Sequence, residues 1–267
     1  MSNRLPSGRG ALVGAPSRPH LPDPATSGPY RPFASDPGWS EAWWWLGLPA
    51  LALIALIAIS QLKPDWYAAW IIPEGYGVLE FSQLATMLIA LALAVRLLLK
   101  PFVRRRPFLL AVTIVAALSC IYIAGEEMSW GQHLFHWNTP DYWGEVNRQQ
   151  ETNLHNTYAL FEKYPRAVLE IGVLMGGILV PIAACFLPGL RTNRLSLFLP
   201  PFALMPAAVG LIAVKLADMA FQTGTVGELL QRPSETIESL LYFFILAYLI
   251  VLGRRVGEIE SEAARRA

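Results

Sequence analysis

Six apolar stretches, each about as long as a membrane-spanning helix, follow one another along the chain after its first forty residues. An α-helix needs about 20 mainly apolar residues to cross a hydrocarbon core roughly 30 Å thick. The stretches cover residues 43–62, 77–99, 107–127, 167–187, 195–221 and 234–252. The pattern therefore predicts an all-α fold, a polytopic membrane bundle with six transmembrane helices.

Lysine and arginine side chains fall in alternate connections between these stretches. They occur in the N-terminal segment, between spans two and three, between spans four and five, and after span six: Arg4, Arg9, Arg18, Arg31, Lys100, Arg104, Arg105, Arg106, Arg191, Arg194, Arg254, Arg255, Arg265 and Arg266. The other three connections are poorer in cations and richer in acids. Since Lys and Arg are in excess on the cytoplasmic side, this distribution predicts that both termini are cytoplasmic.

The first forty residues differ in composition from the rest of the chain. They are rich in Pro, Gly, Ser and Arg and lack periodic apolar positions, which is typical of a segment that does not fold. We therefore predict a disordered cytoplasmic tail at 1–40 and a six-span transmembrane domain at 41–255. Within that domain, 128–165 form an extracytoplasmic loop, and 256–267 form a cytoplasmic C-terminal tail.

The overall composition fits a bilayer environment. The chain is 54% hydrophobic and 15% charged, whereas soluble domains average about 45–50% apolar and about 25% charged residues. A net charge of +1 gives no indication of nucleic acid binding. The expected partners are membrane lipids and a small-molecule or lipid substrate.

Ionisable residues inside the predicted spans collect on the non-cytoplasmic side. Such residues are costly in a bilayer and usually mark functional sites. On that side they are Glu80, Glu126, Glu127, Glu170, Lys215, Asp218, Glu235 and Glu238. The inner half contains only Arg96, which lies near a cytoplasmic helix end.

The position of each acid relative to its helix end separates two groups. The helix macrodipole favours a carboxylate at an N-terminus, and this explains four of the acids without assigning them a function. Glu126, Glu127 and Asp218 instead lie at C-termini, where the dipole disfavours them, and we predict that they are catalytic. For Asp218, pairing with Lys215 three residues earlier is an equally good explanation.

The connection between spans three and four contains the most unusual segment of the chain. It includes GEEMSWGQHLFHW, which begins at Gly125, and NRQQETNLHN, which begins at Asn147. Three of the four histidines of the chain lie in this connection. Because function concentrates in loops held by a rigid scaffold, we expect the site here.

Helical spacing suggests how these side chains are arranged. If span three continues beyond its acids, one face carries residues at spacings of three, four and three: Glu126, Ser129, His133 and His136. Glu151 and His155, four residues apart, would share a face of a second short helix. The two faces are then expected to converge.

Imidazole nitrogen and carboxylate oxygen are both zinc ligands. We therefore predict a metal site with zinc as the candidate cofactor, whose ligands are His133, His136, His155 and Glu151. An acid–base site without a metal fits the same residues. A hydrogen-bonded cap over the bundle, without catalysis, fits them as well.

Two blocks of this connection resemble known membrane proteins. GEEMSWGQ and ETNLHN are similar to the GEExSWGQ and ETNxHN blocks of a family of bacterial membrane proteins without an assigned activity, which implies a bacterial inner membrane location. Glu126 and Ser129 also match the ExxS block of ceramidase and adiponectin-receptor-like membrane hydrolases, which implies zinc chemistry with Asp218 as the acid. Those hydrolases have seven spans and an HxxxH on the last, whereas the last span here has no histidine.

Two functions fit these observations. The first is a metal-dependent hydrolase or transferase acting on a lipid or amphiphile from the outer leaflet, with Glu127 or Asp218 as the base. The second is a non-enzymatic membrane protein that acts in binding, reception or assembly. A transporter is disfavoured, because the inner half is almost wholly apolar and matching broken helices are not found.

Overall fold

A computed structural model describes residues 33–187, 189–190 and 194–266, and the regular structure of these residues is helical throughout. Six helices are long and apolar enough to cross a membrane: α1 (Trp43–Leu62), α2 (Val78–Leu99), α3 (Pro107–Glu127), α4 (Lys163–Phe186), α5 (Leu195–Gln222) and α6 (Pro233–Arg266). The predicted all-α, six-span membrane fold is confirmed.

Helices α2 and α6 form the centre of the bundle. α2 packs against α3 on one side and against α6 on the other, and α6 also packs against α5. Ala90 and Ala94 of α2 are fully buried, and small residues of this kind let helix backbones approach closely in a membrane. α6 is the most buried of the six helices.

One end of the bundle is closed by a group of ion pairs that we call the terminal clasp: Asp36, Glu41, Arg254, Arg255 and Glu258. Asp36 and Arg255 are both completely buried, and Nε of Arg255 lies 2.6 Å from the Asp36 carboxylate. Arg254 pairs with Glu41 at 2.7 Å. The Glu258 carboxylate accepts hydrogen bonds from the backbone amides of residues 34 and 35.

The clasp changes the boundaries expected for the two tails. Residues 1–32 of the predicted N-terminal tail lie outside the described residues. Residues 33–40 belong to the folded part, since Phe33 and Asp36 are buried against α6. The predicted C-terminal tail at 256–267 instead continues α6 as far as Arg266, and Glu260 within it pairs with Lys100 at 3.0 Å.

Helix α4 is irregular near its middle. A π-helical turn spans Met175–Leu179, a feature often found at functional sites. Gly177 in this turn packs tightly, because a Cβ there would lie 2.5 Å from the Ala208 Cβ and 2.8 Å from a ring carbon of Phe244. Gly172, one turn earlier, faces open space. The second half of α4 is therefore fixed against α5 and α6.

Candidate functional site

A cavity of about 390 Å³ lies at the end of the bundle opposite the terminal clasp. Its walls come from α2, α3, α4 and α6, and from the connections that precede α2, α4 and α6. Its ionisable lining consists of Glu74, Glu80, Glu126, Glu127, Glu151, Glu235, Glu238, Arg148, Arg166, Arg232, His133 and His155.

Helix α3 does not continue through the histidines as the helical spacing predicts. It ends at Glu127, and the chain then reverses through Ser129, Trp130 and Gly131, which have φ values of 45°, 55° and 103°. A positive φ is unusual for residues other than glycine and is tolerated only where surrounding contacts enforce it. The prediction of one continuous face is therefore wrong.

This reversal separates the histidines. The next short helix covers Gln132–Phe135, and His136 ends it in the left-handed conformation with φ of 56°. His136 is exposed and does not line the cavity. His133 and His155 both line it, so two of the three predicted histidines are brought to one place and the third is not.

Glu126 fastens the connection to the end of α3. One carboxylate oxygen accepts a hydrogen bond of 2.7 Å from the indole of Trp130. The other accepts the backbone amides of Leu154 and His155, both at 2.7 Å, and lies 3.3 Å from Nδ1 of His155. Because four donors surround this buried carboxylate, its role is to hold the connection, and the catalytic role predicted for it has little support in the geometry.

Glu151 and His133 form the second acid–imidazole pair. Oε1 of Glu151 lies 3.3 Å from Nε2 of His133. Oε2 of Glu151 accepts the Ser129 hydroxyl at 2.6 Å and the side-chain amide of Asn153 at 2.8 Å. Asn147 supports this arrangement, since its amide donates to the backbone carbonyl and side-chain oxygen of Asn153. The predicted helix around Glu151 is replaced by a loop built from such side-chain bonds.

The Glu151–His133 pair shifts the pKa of both partners. Burial favours the neutral form of Glu151, but the hydrogen bonds from His133 and Ser129 outweigh it and hold the pKa of Glu151 below its usual value. The hydrogen bond to Glu151 raises the pKa of His133 against the opposing effect of burial. The pair is therefore ionised over a wide range of pH.

Gly75 completes the surroundings of His133. It has φ of 82°, and a Cβ there would overlap the His133 ring. Its backbone amide donates to the Glu80 carboxylate, so the chain before α2 is held between a histidine and an acid of the cavity. A glycine is required at this position both for its backbone conformation and for the space that it leaves.

His155 lies deeper in the cavity, among carboxylates. Burial disfavours its charged form, but the hydrogen bond to Glu126 and the neighbouring carboxylate of Glu127 outweigh burial and raise the pKa of His155. About a third of its side chain is exposed (36%). His155 is therefore a proton donor that a ligand in the cavity can reach.

Glu127 connects α3 with α6. One of its carboxylate oxygens accepts a hydrogen bond of 2.6 Å from the hydroxyl of Tyr242. Among the described residues, no other hydrogen-bond donor contacts this carboxylate, which also lines the cavity. Residues of α6 line the cavity beside Glu127, whereas no described residue of α5 does.

Two arginines of the cavity, Arg232 and Arg166, pair with acids. Arg232 pairs with Glu74 at 2.7 Å and with Glu235 at 2.8 Å. Arg166 of α4 lies 3.0 Å from Glu238 of α6. These pairs join the ends of helices that are separated along the chain, and each leaves a second carboxylate oxygen on its acid.

The contact between Ser129 and His133 differs from that of a nucleophile and its base. The Ser129 hydroxyl and Oε1 of Glu151 both approach Nε2 of His133, at 2.8 Å and 3.3 Å, whereas in a catalytic triad the serine and the acid contact opposite ring nitrogens. Ser129 is also completely buried. The site therefore does not present an activated serine.

The predicted metal ligands are not gathered around one point. Within the described ranges, no group of three or more His, Cys, Asp or Glu residues is placed to hold a metal ion. His136 lies outside the cavity, and His133 and His155 bind different acids, Glu151 and Glu126. Among the arrangements that the sequence allows, the geometry matches hydrogen-bonded acid–base pairs best.

Asp218 lies apart from this cavity. Its carboxylate accepts a hydrogen bond of 2.8 Å from Gln222 on the same helix, and it lines a small crevice beside Glu228. Lys215 binds Glu170 of α4 instead of Asp218. The catalytic role predicted for Asp218 is therefore not supported by its position.

Several cavity residues were not predicted from the sequence. The helix dipole accounts for Glu80, Glu235 and Glu238 without assigning them a function, and no sequence pattern singles out Tyr242 or the three arginines. Glu235 is 8% exposed, which helix-start chemistry alone does not require. The sequence feature that indicates the acidic members is the clustering of acids on one side of the membrane. This feature includes the acids at helix N-termini as well as those at C-termini.

No known protein family matches the chain, and no curated protein or solved structure matches it. The two sequence resemblances therefore stay predictions. A functional assignment must come from the geometry of the cavity, in which acids, imidazoles and guanidinium groups surround a space large enough for a small ligand.

Proposed function

We propose that this integral membrane protein binds an amphiphile whose headgroup is an amine, with the headgroup in the cavity and the apolar part toward the bilayer. One observation carries this proposal: among the described residues, the cavity is lined by seven carboxylates, three guanidinium groups and two imidazoles. Carboxylates stay in excess even when both histidines are protonated. A buried charge needs a partner, and a cationic headgroup would supply it.

The arginines provide a further argument for a cation over an anion. Arg166 and Arg232 each bind two acids, so much of their capacity to donate hydrogen bonds to an anionic headgroup is already used. The available groups are acceptors, namely the second oxygens of Glu127 and Glu238. An ammonium headgroup has three donors to offer to them.

A second candidate is a hydrolase or transferase that acts on the same class of amphiphile by acid–base chemistry. His155, whose pKa is raised, and Glu127 line the same cavity, and a proton donor beside a proton acceptor is the arrangement that such chemistry requires. This candidate predicts a product from an N-acylated or O-acylated amphiphile with the wild type and none with His155→Gln.

The binding proposal is tested with chain-matched probes on the detergent-purified protein. We expect dodecylamine at low micellar fraction to raise the melting temperature more than dodecanol or dodecyl phosphate, since a ligand that binds the folded state stabilises it. Glu127→Gln and Glu238→Gln should reduce the shift, whereas Asp218→Asn, an acid of α5 outside the cavity, should leave it unchanged. An equal shift with dodecyl phosphate, or a shift retained in both cavity variants, would contradict the proposal.

We also propose that the cavity lies on the non-cytoplasmic side, as the distribution of Lys and Arg indicates, and that the membrane is a bacterial inner membrane, as the sequence resemblance implies. A reporter active only outside the cytoplasm should give signal when it is fused after Tyr142 and none when it is fused after Arg191. The reverse pattern would place the cavity on the cytoplasmic side, and its ligand would then have to come from the inner leaflet.

A further inference from the structure

Helices α3 and α4 both line the cavity, and among the described residues they do not form a packed pair. α3 packs against α2, and the first half of α4 packs against α6. Leu241 of α6 lines the cavity together with residues of α3 and α4. We call this part of the cavity, between α3 and α4, the groove.

The cavity lining changes in character toward this groove. On the α3 side it consists of Tyr122 and Ile123, and on the α4 side of Pro165 and Leu169, with Leu241 of α6 between them. These side chains are predominantly apolar, whereas the acids and arginines lie toward the connections. The cavity thus combines a polar part near the connections with an apolar part between the membrane-spanning segments of α3, α4 and α6, which is the division found within an amphiphile.

The first half of α4 is held mainly by ion pairs. Arg166 lies 3.0 Å from Glu238 of α6, and Glu170 binds Lys215 of α5. Further along α4, Val173 is buried and Gly177 packs closely in the π-helical turn. These contacts hold α4 against α5 and α6, whereas α4 and α3 do not form a packed pair among the described residues.

We propose that the groove between α3 and α4 is a lateral portal, and that the hydrocarbon chain of the bound amphiphile lies in it between Ile123 and Leu169. The polar and apolar linings belong to one continuous cavity. A molecule whose headgroup fills the polar part can therefore extend its hydrocarbon chain only along the apolar lining. The identity of the headgroup rests on the proposed function. The opening itself does not, so the two can be tested separately.

The opening is tested by cysteine labelling in lipid vesicles. Cys120 is buried and Cys185 is exposed, so both are first replaced by alanine. Ile123→Cys is then compared with Ala117→Cys, which lies on the same helix with nearly the same exposure, 7% against 8%, but does not line the cavity. We expect a maleimide carried on an acyl chain to label position 123 at least tenfold faster than position 117.

A water-soluble charged maleimide serves as the second reagent. If it labels position 123 and the acyl reagent does not, the cavity opens only to water and the portal is refuted. Equal labelling of positions 117 and 123 by the acyl reagent, or no labelling at either, also overturns the proposal. None of these outcomes depends on whether an amine is the ligand.

The position of the ligand's hydrocarbon chain is tested with a substitution that places a larger side chain in the groove. We expect Leu169→Trp to weaken the binding of dodecylamine about tenfold and to leave the binding of butylamine unchanged. Val168→Trp is the matched control, because Val168 is on the same helix but is 68% exposed and does not line the cavity. If neither amine binds while position 123 is labelled, the proposed headgroup is wrong and the portal stands. If Leu169→Trp affects both amines equally, or neither, the chain does not lie in the groove.

Discussion

The terminal clasp and the cavity both bury ionised side chains, yet they use the hydrogen-bonding capacity of those side chains differently. In the clasp, Arg255 is fully buried and its donors bind the Asp36 carboxylate and the backbone carbonyls of residues 196, 197 and 199. In the cavity, Glu127 binds Tyr242 through one oxygen, and the residue lines a space of about 390 Å³.

The difference shows what distinguishes a structural ion pair from a site in a membrane protein. Burial of a charge occurs at both ends, so burial by itself does not indicate function. Among the described residues of these two regions, acids with an oxygen that accepts no hydrogen bond line an empty volume only in the cavity. Glu126 illustrates the same rule within the cavity, since its four donors leave it a structural role.

The largest expected effect is at the clasp. Asp36→Ala leaves the buried guanidinium of Arg255 without its acid, and removing one partner of a buried ion pair costs about 3–5 kcal/mol. The free energy of unfolding, measured by reversible titration with a denaturing detergent, should fall by this amount. The double variant Asp36→Leu with Arg255→Met should recover part of the loss. A loss no greater than that of Glu262→Ala, near the exposed end of α6, would contradict a structural role for the clasp.

The next effect is at Glu126. In Glu126→Gln an NH2 group replaces one carboxylate oxygen, so at least one donor faces another donor and the remaining hydrogen bonds lose their charged acceptor, for which we expect a loss of about 3 kcal/mol. Hydrogen exchange should accelerate most at the amides of Leu154 and His155, which bind this carboxylate. Glu145→Gln, at an exposed position of the same connection, is the control. Unchanged exchange at both amides would mean that the connection is held by other contacts.

A smaller effect is expected midway between the two ends. Gly177→Ala should destabilise the bundle by about 1–3 kcal/mol, because its Cβ would overlap Ala208 and Phe244 and force the core to shift. Gly172→Ala places the same methyl group in open space and should not destabilise. Thermal unfolding of the two variants compares them directly, and equal losses would show that α4 is not fixed at its π-helical turn.

The smallest effect is the pH dependence of the Glu151–His133 pair. Glu151, whose pKa is lowered, stabilises the fold above its ordinary pKa and loses this contribution as the pH falls through the lowered value. His133, whose pKa is raised, stabilises the fold below its ordinary pKa and loses this contribution as the pH rises through the raised value. The contribution should be greatest between about pH 4.3 and about pH 6.5. Melting temperatures across pH should show this maximum in the wild type and a flatter profile in His133→Gln.

The six helices could be predicted because apolar length is a property of each segment alone. The position of His136 could not, since it depends on the reversal at Ser129–Gly131, where contacts from Glu126 and Trp130 hold a backbone conformation that local preference disfavours. The roles of Glu235 and Glu238 also depend on contacts between segments that are distant in the sequence. The helix dipole accounts for an acid at the start of α6, but only the packed bundle shows that α3 and α4 bring other acids and bases beside it.

Helix α6 is uninterrupted from Pro233 to Arg266, and it carries residues of both ends. Glu238 lines the cavity, and Arg255 closes the clasp, at a separation of about 25 Å along the helix axis. Because one continuous helix carries both residues, a tilt of α6 at the cavity would also displace Arg255 relative to Asp36.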